Sequence, residues 1–185
     1  MNLQCNLSSQ CSNLITDISG LADPSDITAI IKDAPYWKQM YITEKVAVPA
    51  EKPDIESINS IDISVEIIRK DVIITPRSTT ANLEGKSLSG RKLIIEGVLS
   101  QVIDYTALEI AQPVHTFHAY VPFSSYIVVP LEINFGTPEA PDTVDSLDIN
   151  FEVNACIEDL SASLCSAREV IKQVTLLLYA VPTRS

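Results

Sequence analysis

Strict alternation of apolar and polar residues is the pattern that most restricts the fold of this 185-residue chain. It is clearest at Ile61, Ile63, Val65 and Ile67, where every second side chain is apolar. Successive side chains of a strand point to opposite faces, so this segment is typical of a strand buried on one face. Similar segments recur between proline and glycine residues, which indicates about eight to ten strands. The predicted fold class is therefore all-β, either a β-sandwich or a partly closed barrel.

One segment follows a helical period instead. Asp23 suits an N-cap, Pro24 suits the first helical position, and the isoleucines that follow fall on one side of a helix. Pro35 stops the pattern, so a short helix is predicted near residues 24–33.

The remaining segments are predicted as strands and loops. The strand 93–99 contains Gly97, and a glycine within a strand indicates a bulge. Residues 102–105 extend or follow this strand. The stretch 77–90 is predicted as a hairpin loop, and 136–145 as a solvated acidic loop. The predicted strands are 36–48, 61–67, 72–74, 93–99, 102–105, 114–121, 123–129, 147–157 and 168–181.

The first twenty residues are small and polar, with isolated apolar residues that cannot bury a face by themselves. We therefore predict an N-terminal arm at 1–22, followed by a single domain at 23–185. The arm residues predicted to contact another subunit are Asn2, Leu3, Gln4, Leu7, Leu14 and Ile15.

The charge excludes several kinds of partner. Acidic residues outnumber basic ones 24 to 13, which gives a formal net charge of −11. Such a chain repels phosphate backbones and anionic membrane surfaces, so we expect neither nucleic-acid binding nor membrane association. The apolar run at 174–181 is much shorter than the roughly 20 residues that span a bilayer, and the N-terminus has no visible signal peptide.

No catalytic pattern is visible, and we expect the protein not to be an enzyme. His115 and His118 are three residues apart on one predicted strand, so they point to opposite faces and cannot share a ligand or relay a proton. No motif for a catalytic nucleophile accompanies them.

No metal or cofactor is expected either. The cysteines form C-x5-C and C-x8-C pairs, which match no zinc pattern. Asp142, Asp145 and Asp148 lack the close ladder, glycine and distal glutamate of a calcium loop. An exposed acidic loop is the favoured interpretation of these aspartates.

The four cysteines are candidates for disulfide bonds. Cys5 and Cys11 lie in the polar arm, where thiols are accessible, so cross-linking is favoured over free thiols. Cys156 and Cys165 pair either with each other or with arm cysteines, and the sequence leaves both arrangements open. If the arm reaches a neighbour, bonds from Cys5 and Cys11 to Cys156 or Cys165 are expected between subunits.

Two aromatic residues complete the candidate site residues. Trp37 and Tyr41 lie within a predicted strand, where they are expected to be core residues or interface anchors rather than a sugar-binding platform.

An ordered series of segments matches a known pattern: Trp37-Lys38-Gln39, Glu44, Val48-Pro49, Lys52-Pro53-Asp54-Ile55-Glu56, 92–99, Val102, Tyr105, 112–117 and 121–124. In this series, over about residues 36–180, the chain resembles the SPOCS domain family of spore coat and spore morphogenetic proteins from clostridia and related Firmicutes. The resemblance implies a spore-surface or extracellular location after synthesis in the mother cell, and it carries no established catalytic residues.

A β-domain with a cysteine-bearing arm resembles the design of spore-surface fibre subunits. We therefore expect a structural subunit whose partner is itself, in a head-to-tail homopolymer joined through the arm and stabilised by intersubunit disulfides. Other spore-coat proteins are further expected partners. The alternative hypothesis is a monomeric spore-coat adaptor that binds other proteins without polymerising.

Overall fold

The structure is a computed structural model, and it describes residues 17–111 and 113–184. Over these residues the chain forms one helix, α1 (Pro24–Asp33), and nine strands. The strands are β1 (Asp17–Ser19), β2 (Tyr36–Ala47), β3 (Ile55–Arg77), β4 (Ser89–Ala107), β5 (Val114–Val128), β6 (Glu132–Asn134), β7 (Thr143–Asp145), β8 (Asn150–Ser166) and β9 (Glu169–Thr183).

Seven of the strands form a two-layer sandwich, which confirms the predicted all-β fold class. One sheet has the order β1-β3-β4-β5 and the other has the order β2-β9-β8. All neighbouring strands run antiparallel except β1, which pairs with β3 in parallel. Strands β6 and β7 form a separate ribbon. Throughout the described ranges the sheets stay open, so the sandwich and not the barrel is the architecture.

The core lies between the two sheets and follows the period-two pattern of the sequence. In β4 nearly every second residue is buried, including Leu99 and Ile103. The facing sheet contributes Val174 and Leu176 from β9, which are also fully buried. Burial of these apolar faces is the main favourable contribution to folding, at roughly 25 cal/mol per Å² of apolar surface.

The predicted helix is confirmed, with the predicted cap. The Asp23 carboxylate accepts hydrogen bonds from the Ser25 hydroxyl and, at 2.8 Å, from the Ser25 backbone N–H, and these two bonds lower the pKa of Asp23. The helix contacts β8 and buries none of its residues fully. No helix in the described part of the chain is long and apolar enough to cross a membrane.

Four of the strands are longer than the sequence pattern indicates: β8 continues beyond the predicted 147–157 to Ser166, and the other three each join two predicted segments. The predicted strands 61–67 and 72–74 belong to β3, whose register shifts between Ile67 and Arg69 and so breaks the alternation. The strands 93–99 and 102–105 likewise join as β4. The strands 114–121 and 123–129 join as β5 across Pro122, because an edge strand tolerates a residue without an N–H.

The predicted bulge at Gly97 is wrong in its position. Gly97 pairs regularly with Phe123 on β5, and the irregularity lies opposite it, on β3. A Cβ at Gly97 would lie 2.5 Å from the Phe123 ring and 2.6 Å from the Glu66 carbonyl oxygen. The glycine therefore allows close packing rather than a bulge.

The acidic stretch 136–145 is only partly a loop. Its end forms β7, which pairs with β6. Two of its aspartates form ion pairs with arginine residues of the chain. Asp145 lies 3.2 Å from Arg91, and Asp142 forms an ion pair with Arg184. The backbone N–H of Leu147 and the Arg91 guanidinium lower the pKa of Asp145.

Candidate functional site

The sandwich has two sides where an edge of one sheet faces an edge of the other. On one side β3 faces β8, and on the opposite side β2 faces β5. Strand edges offer unpaired backbone groups to any extended segment that approaches them. The two sides therefore determine how this domain can contact another chain.

The β3–β8 side is closed by residues 17–22 of the same chain, and we call it the closed side. Strand β1 pairs with β3 at Ser60–Asp62, and the Ser19 hydroxyl donates to Asp62 at 2.5 Å. The Ala22 N–H then donates to the Ile157 carbonyl oxygen of β8 at 2.9 Å. One segment thus bonds to both sheets, so the last part of the predicted arm is attached to the domain.

Gly20 makes this crossing possible. Its φ of +92° lies in the left-handed region that glycine adopts without a steric cost. A Cβ at this position would lie 1.8 Å from the Ile63 carbonyl oxygen. Any other residue would push the segment away from β3.

The β2–β5 side has no such covering segment among the described residues, and we call it the open side. A groove with a cavity of about 360 Å³ lies there. Its lining comes from the beginning of β2 and the end of β5: Pro35, Tyr36, Trp37, Lys38, Tyr126, Ile127 and Val128.

The groove combines apolar surface with positive charge. The ammonium groups of Lys38 and Lys92 lie 4.2 Å and 4.3 Å from the centre of the Tyr126 ring, within range of cation–π attraction. Lys38 lines the groove, and Lys92 approaches the same ring from β4. The groove therefore carries positive charge on a chain whose net charge is −11.

The two predicted interface anchors lie on the same face of β2 and neither belongs to the core. Trp37 is 46% exposed and lines the groove, whereas Tyr41 is 58% exposed and lies outside the lining. The core interpretation of both aromatic residues is thus wrong. Their role as interface anchors stays a prediction.

The predicted arm contacts and cysteines are only partly within the described residues. Cys5 and Cys11 lie outside them, as do Asn2, Leu3, Gln4, Leu7, Leu14 and Ile15. Cys156 is a free thiol. Its pKa is raised mainly by burial and, to a smaller extent, by the nearby charges of Asp26 and Glu158. The disulfide pairing of the four cysteines stays a prediction.

One of the open pairings is incompatible with the fold. Cys156 and Cys165 both belong to β8 and are nine residues apart. An extended strand of that length spans about 30 Å, whereas the Cα atoms of a disulfide are at most about 7 Å apart. A bond between these two cysteines of one chain therefore cannot form.

The histidines lie on opposite faces of β5, as the alternation indicates. His115 stacks on Tyr105 with 5.8 Å between ring centres, while His118 is exposed. The described residues contain no group of three side chains suited to bind a metal ion.

A buried polar cluster, which the sequence interpretation missed, lies between the sheets. Its members are Glu44 of β2, Gln101 of β4 and Lys172 of β9, which are 8%, 1% and 0% exposed. The Lys172 ammonium lies 2.9 Å from Glu44 Oε1 and donates a hydrogen bond to Gln101 Oε1. The Gln101 amide nitrogen donates to the same Glu44 oxygen at 2.6 Å. We call these three residues the buried cluster.

The surroundings of the buried cluster are apolar. Gln101 lies between the inward-facing Leu99 and Ile103, and Lys172 between Val170 and Val174, all of them fully buried. This burial lowers the pKa of Lys172, although the nearby Glu44 carboxylate opposes the shift. The available sequence signal is a polar residue at an inward position of an otherwise alternating strand.

Comparisons with known proteins place the chain in a family. A family model described as SipL, SPOCS domain matches residues 54–165, which is more than half of the chain. The match begins at the start of β3 and ends within β8. No curated protein and no solved structure gave a significant match. The chain therefore belongs to the SPOCS domain family, as its ordered segments indicated, and this membership suggests a spore-related role.

Proposed function

We propose that this protein is a structural subunit that polymerises head-to-tail into a fibre at the spore surface or outside the cell. The arm of one subunit docks on the open side of the next, and disulfides between subunits stabilise the contact. The observation that carries the proposal is the contrast between the two sides of the sandwich.

The positions of the two sides support a head-to-tail contact. The described chain begins at Asp17 on the closed side, and the open groove lies on the opposite side of the sandwich. A contact between two different surfaces generates a filament when it does not close into a ring. An extended segment added to the edge of β2 or β5 would gain backbone hydrogen bonds as well as pockets for side chains.

The sequence of the arm supports its role as an added strand. Residues 1–8 alternate between apolar and polar types, with Met1, Leu3, Cys5 and Leu7 on one side of the pattern. Residues 1–16 contain no charged side chain, so the arm avoids the repulsion between two subunits of net charge −11. Sixteen extended residues reach roughly 50 Å, which is enough to extend well beyond one domain.

The cysteine positions support the proposed cross-links. Cys5 and Cys11 are both on the arm, and they share the same phase of the alternation. Cys156 offers a free thiol on β8. We propose that an arm cysteine bonds to Cys156 of a neighbouring subunit in an oxidising environment. The arm would continue from the edge of β2 across the outer face of β9 to β8, a distance of about 10 Å for two strand spacings.

The size of the assembled protein tests this proposal. Purified full-length chain, a variant lacking residues 1–16, and the double variant Cys5→Ser/Cys11→Ser are compared by electron microscopy and sedimentation with and without reductant. We expect filaments from the full chain, monomers from the shortened chain, and filaments of lower resistance to denaturant from the double variant. A full-length chain that stays strictly monomeric under oxidising conditions would contradict the proposal.

A second candidate function is a monomeric spore-coat adaptor, and the charge of the groove favours it. Lys38 and Lys92 suit an acidic segment, which residues 1–16 do not supply. On this hypothesis an acidic segment of another spore-coat protein occupies the groove. Full-length and shortened chains would then both be monomeric, and they would bind that segment equally well.

A further inference from the structure

The buried cluster takes no part in the proposed assembly. Its residues lie in the centre of the sandwich, and each comes from a different strand of the two sheets. A buried ion pair stabilises a fold weakly, because removing two charges from water costs about as much as their attraction returns. Glu44 Oε2 is also buried without a hydrogen-bond partner among the described residues. Stability alone is therefore a poor explanation of this arrangement.

We propose that Lys172 and Gln101 become joined by an isopeptide bond, formed by the folded chain itself with Glu44 as the group that transfers the proton. The bond covalently links β9 of one sheet to β4 of the other. It is a modification within one chain, so it is independent of polymerisation.

The first requirement is an amine held against a carboxamide. The Lys172 Nζ is in hydrogen-bond contact with Gln101 Oε1, which is one bond away from the Cδ carbon that Nζ would attack. Neither side chain is free to move away, because both are fully enclosed by the two sheets. Such positioning converts a slow reaction between two molecules into a fast one within a molecule.

The second requirement is an amine without a proton. Burial lowers the pKa of Lys172, which increases the fraction of neutral, nucleophilic amine. The Glu44 carboxylate is 2.9 Å from Nζ and can accept the proton that the amine loses.

The third requirement is a proton for the leaving group. The same Glu44 oxygen is 2.6 Å from Nε2 of Gln101, which is the nitrogen that leaves. Glu44 therefore contacts both the nitrogen that gives up a proton and the nitrogen that takes one. Among the described residues no other titratable side chain contacts both groups.

The reaction balances without an oxidant or a co-reactant. Nζ of Lys172 attacks Cδ of Gln101, and a new C–N bond forms. The bond between Cδ and Nε2 breaks, the proton passes through Glu44 to Nε2, and ammonia leaves. The product is a secondary amide, so the core no longer contains an amine that can carry a charge, and Glu44 ends the reaction in the protonation state in which it began.

The apolar surroundings would preserve the product. Leu99 and Ile103 flank Gln101, and Val170 and Val174 flank Lys172, so water has no polar path to the new bond through these neighbours. Water that cannot reach the amide cannot hydrolyse it. We therefore expect the cross-link to be permanent once formed.

Mass spectrometry of the full-length chain tests the proposal. The intact mass of reduced wild-type protein should fall below the calculated mass by one ammonia, and fragmentation should identify a linked pair of peptides that contain Gln101 and Lys172. Glu44→Gln and Lys172→Arg should both have the full calculated mass. Lys45→Arg changes an exposed lysine next to Glu44 and should retain the loss.

The fragmentation data decide the interpretation. A wild-type protein that is folded by circular dichroism and keeps its full mass after prolonged incubation overturns the proposal. Loss of ammonia that fragmentation places at an asparagine overturns it as well. The wild-type measurement needs no variant, so the proposal remains testable if Glu44→Gln does not fold.

Discussion

The closed side and the open side of this sandwich differ in how their edge strands are held in place. Both expose strand edges, which attract other chains unless they are covered. On the closed side, residues 17–22 bond to β3 and to β8 from outside. On the open side, β2 is attached through a side chain that points into the core, because Glu44 contacts Gln101 of β4 and Lys172 of β9.

The difference shows which surface is available to a partner. The segment 17–22 occupies β3 at Ser60–Asp62 and β8 at Ile157, so an incoming strand cannot pair at these positions of the closed side. The attachment through the buried cluster leaves the outer edge of β2 and the groove beside Trp37 accessible.

The largest expected effect comes from removing the inner attachment of β2. Glu44→Ala leaves the Lys172 amine buried without its carboxylate and, on our proposal, also without its cross-link, so it should lower the free energy of unfolding by at least about 3–5 kcal/mol. Chemical denaturation measures the loss, and hydrogen exchange should rise in β2 before it rises in β3. Glu51→Ala, in an exposed turn, is the control and should change stability by less than about 0.5 kcal/mol. Equal effects of the two substitutions would contradict the role of the buried cluster.

The next prediction compares the contribution of the groove to subunit association with that of the rest of the exposed face of β2. Trp37→Ala removes a large side chain of the groove and should weaken association of subunits by roughly 30-fold, or about 2 kcal/mol. Tyr41→Ala removes a similar, more exposed ring outside the groove, and we expect a change of about twofold or less. Sedimentation equilibrium measures both. Equal weakening by both variants would place the contact on the whole face instead.

A smaller effect is expected on the closed side. Gly20→Ala places a Cβ against the Ile63 carbonyl oxygen at a positive φ, and it should detach residues 17–22. The backbone strain corresponds to about 1–2 kcal/mol. Hydrogen exchange should show loss of protection at the Ala22 amide. Gly85→Ala is the matched control, with a φ of +78° and open space around it, and it should leave that amide protected.

The smallest effect is a pH dependence that reports the state of Lys172. In Gln101→Leu the amine must stay free, and burial lowers its pKa from the ordinary 10.5. Between that lowered pKa and 10.5 the unfolded chain binds more protons, so the free energy of unfolding rises with pH in this window, by at most about 1.4 kcal/mol per pH unit. A cross-linked wild-type protein lacks this titration and should lack the rise. A parallel rise in both proteins would indicate a free amine in both.

Local features of the sequence predicted the parts of the fold that depend on neighbouring residues. The helix was found because Asp23 and Pro24 specify its beginning within a few positions. The alternation predicts the strands but divides them too often, because the register shift after Ile67 changes the face of each following residue and Pro122 resembles a strand end. Only the pairing with β4 shows that each of these strands is continuous.

The candidate sites were predictable to different degrees. Trp37 was identified because an aromatic residue in an alternating strand stands out, although its place in a groove depends on β5. The buried cluster was not identified, because Gln101 is 57 residues from Glu44 and 71 residues from Lys172 in the sequence. Only the register of two sheets brings these side chains together.

The central claim is that the open side of one subunit receives the arm of the next, and a mixing experiment tests it most directly. A chain that lacks residues 1–16 keeps the groove but cannot supply an arm. When it is added in small proportion to full-length chain under assembly conditions, filament length measured by electron microscopy should fall as the proportion rises. The same chain carrying Trp37→Ala should shorten filaments much less. Filaments of unchanged length with the shortened chain would contradict the account.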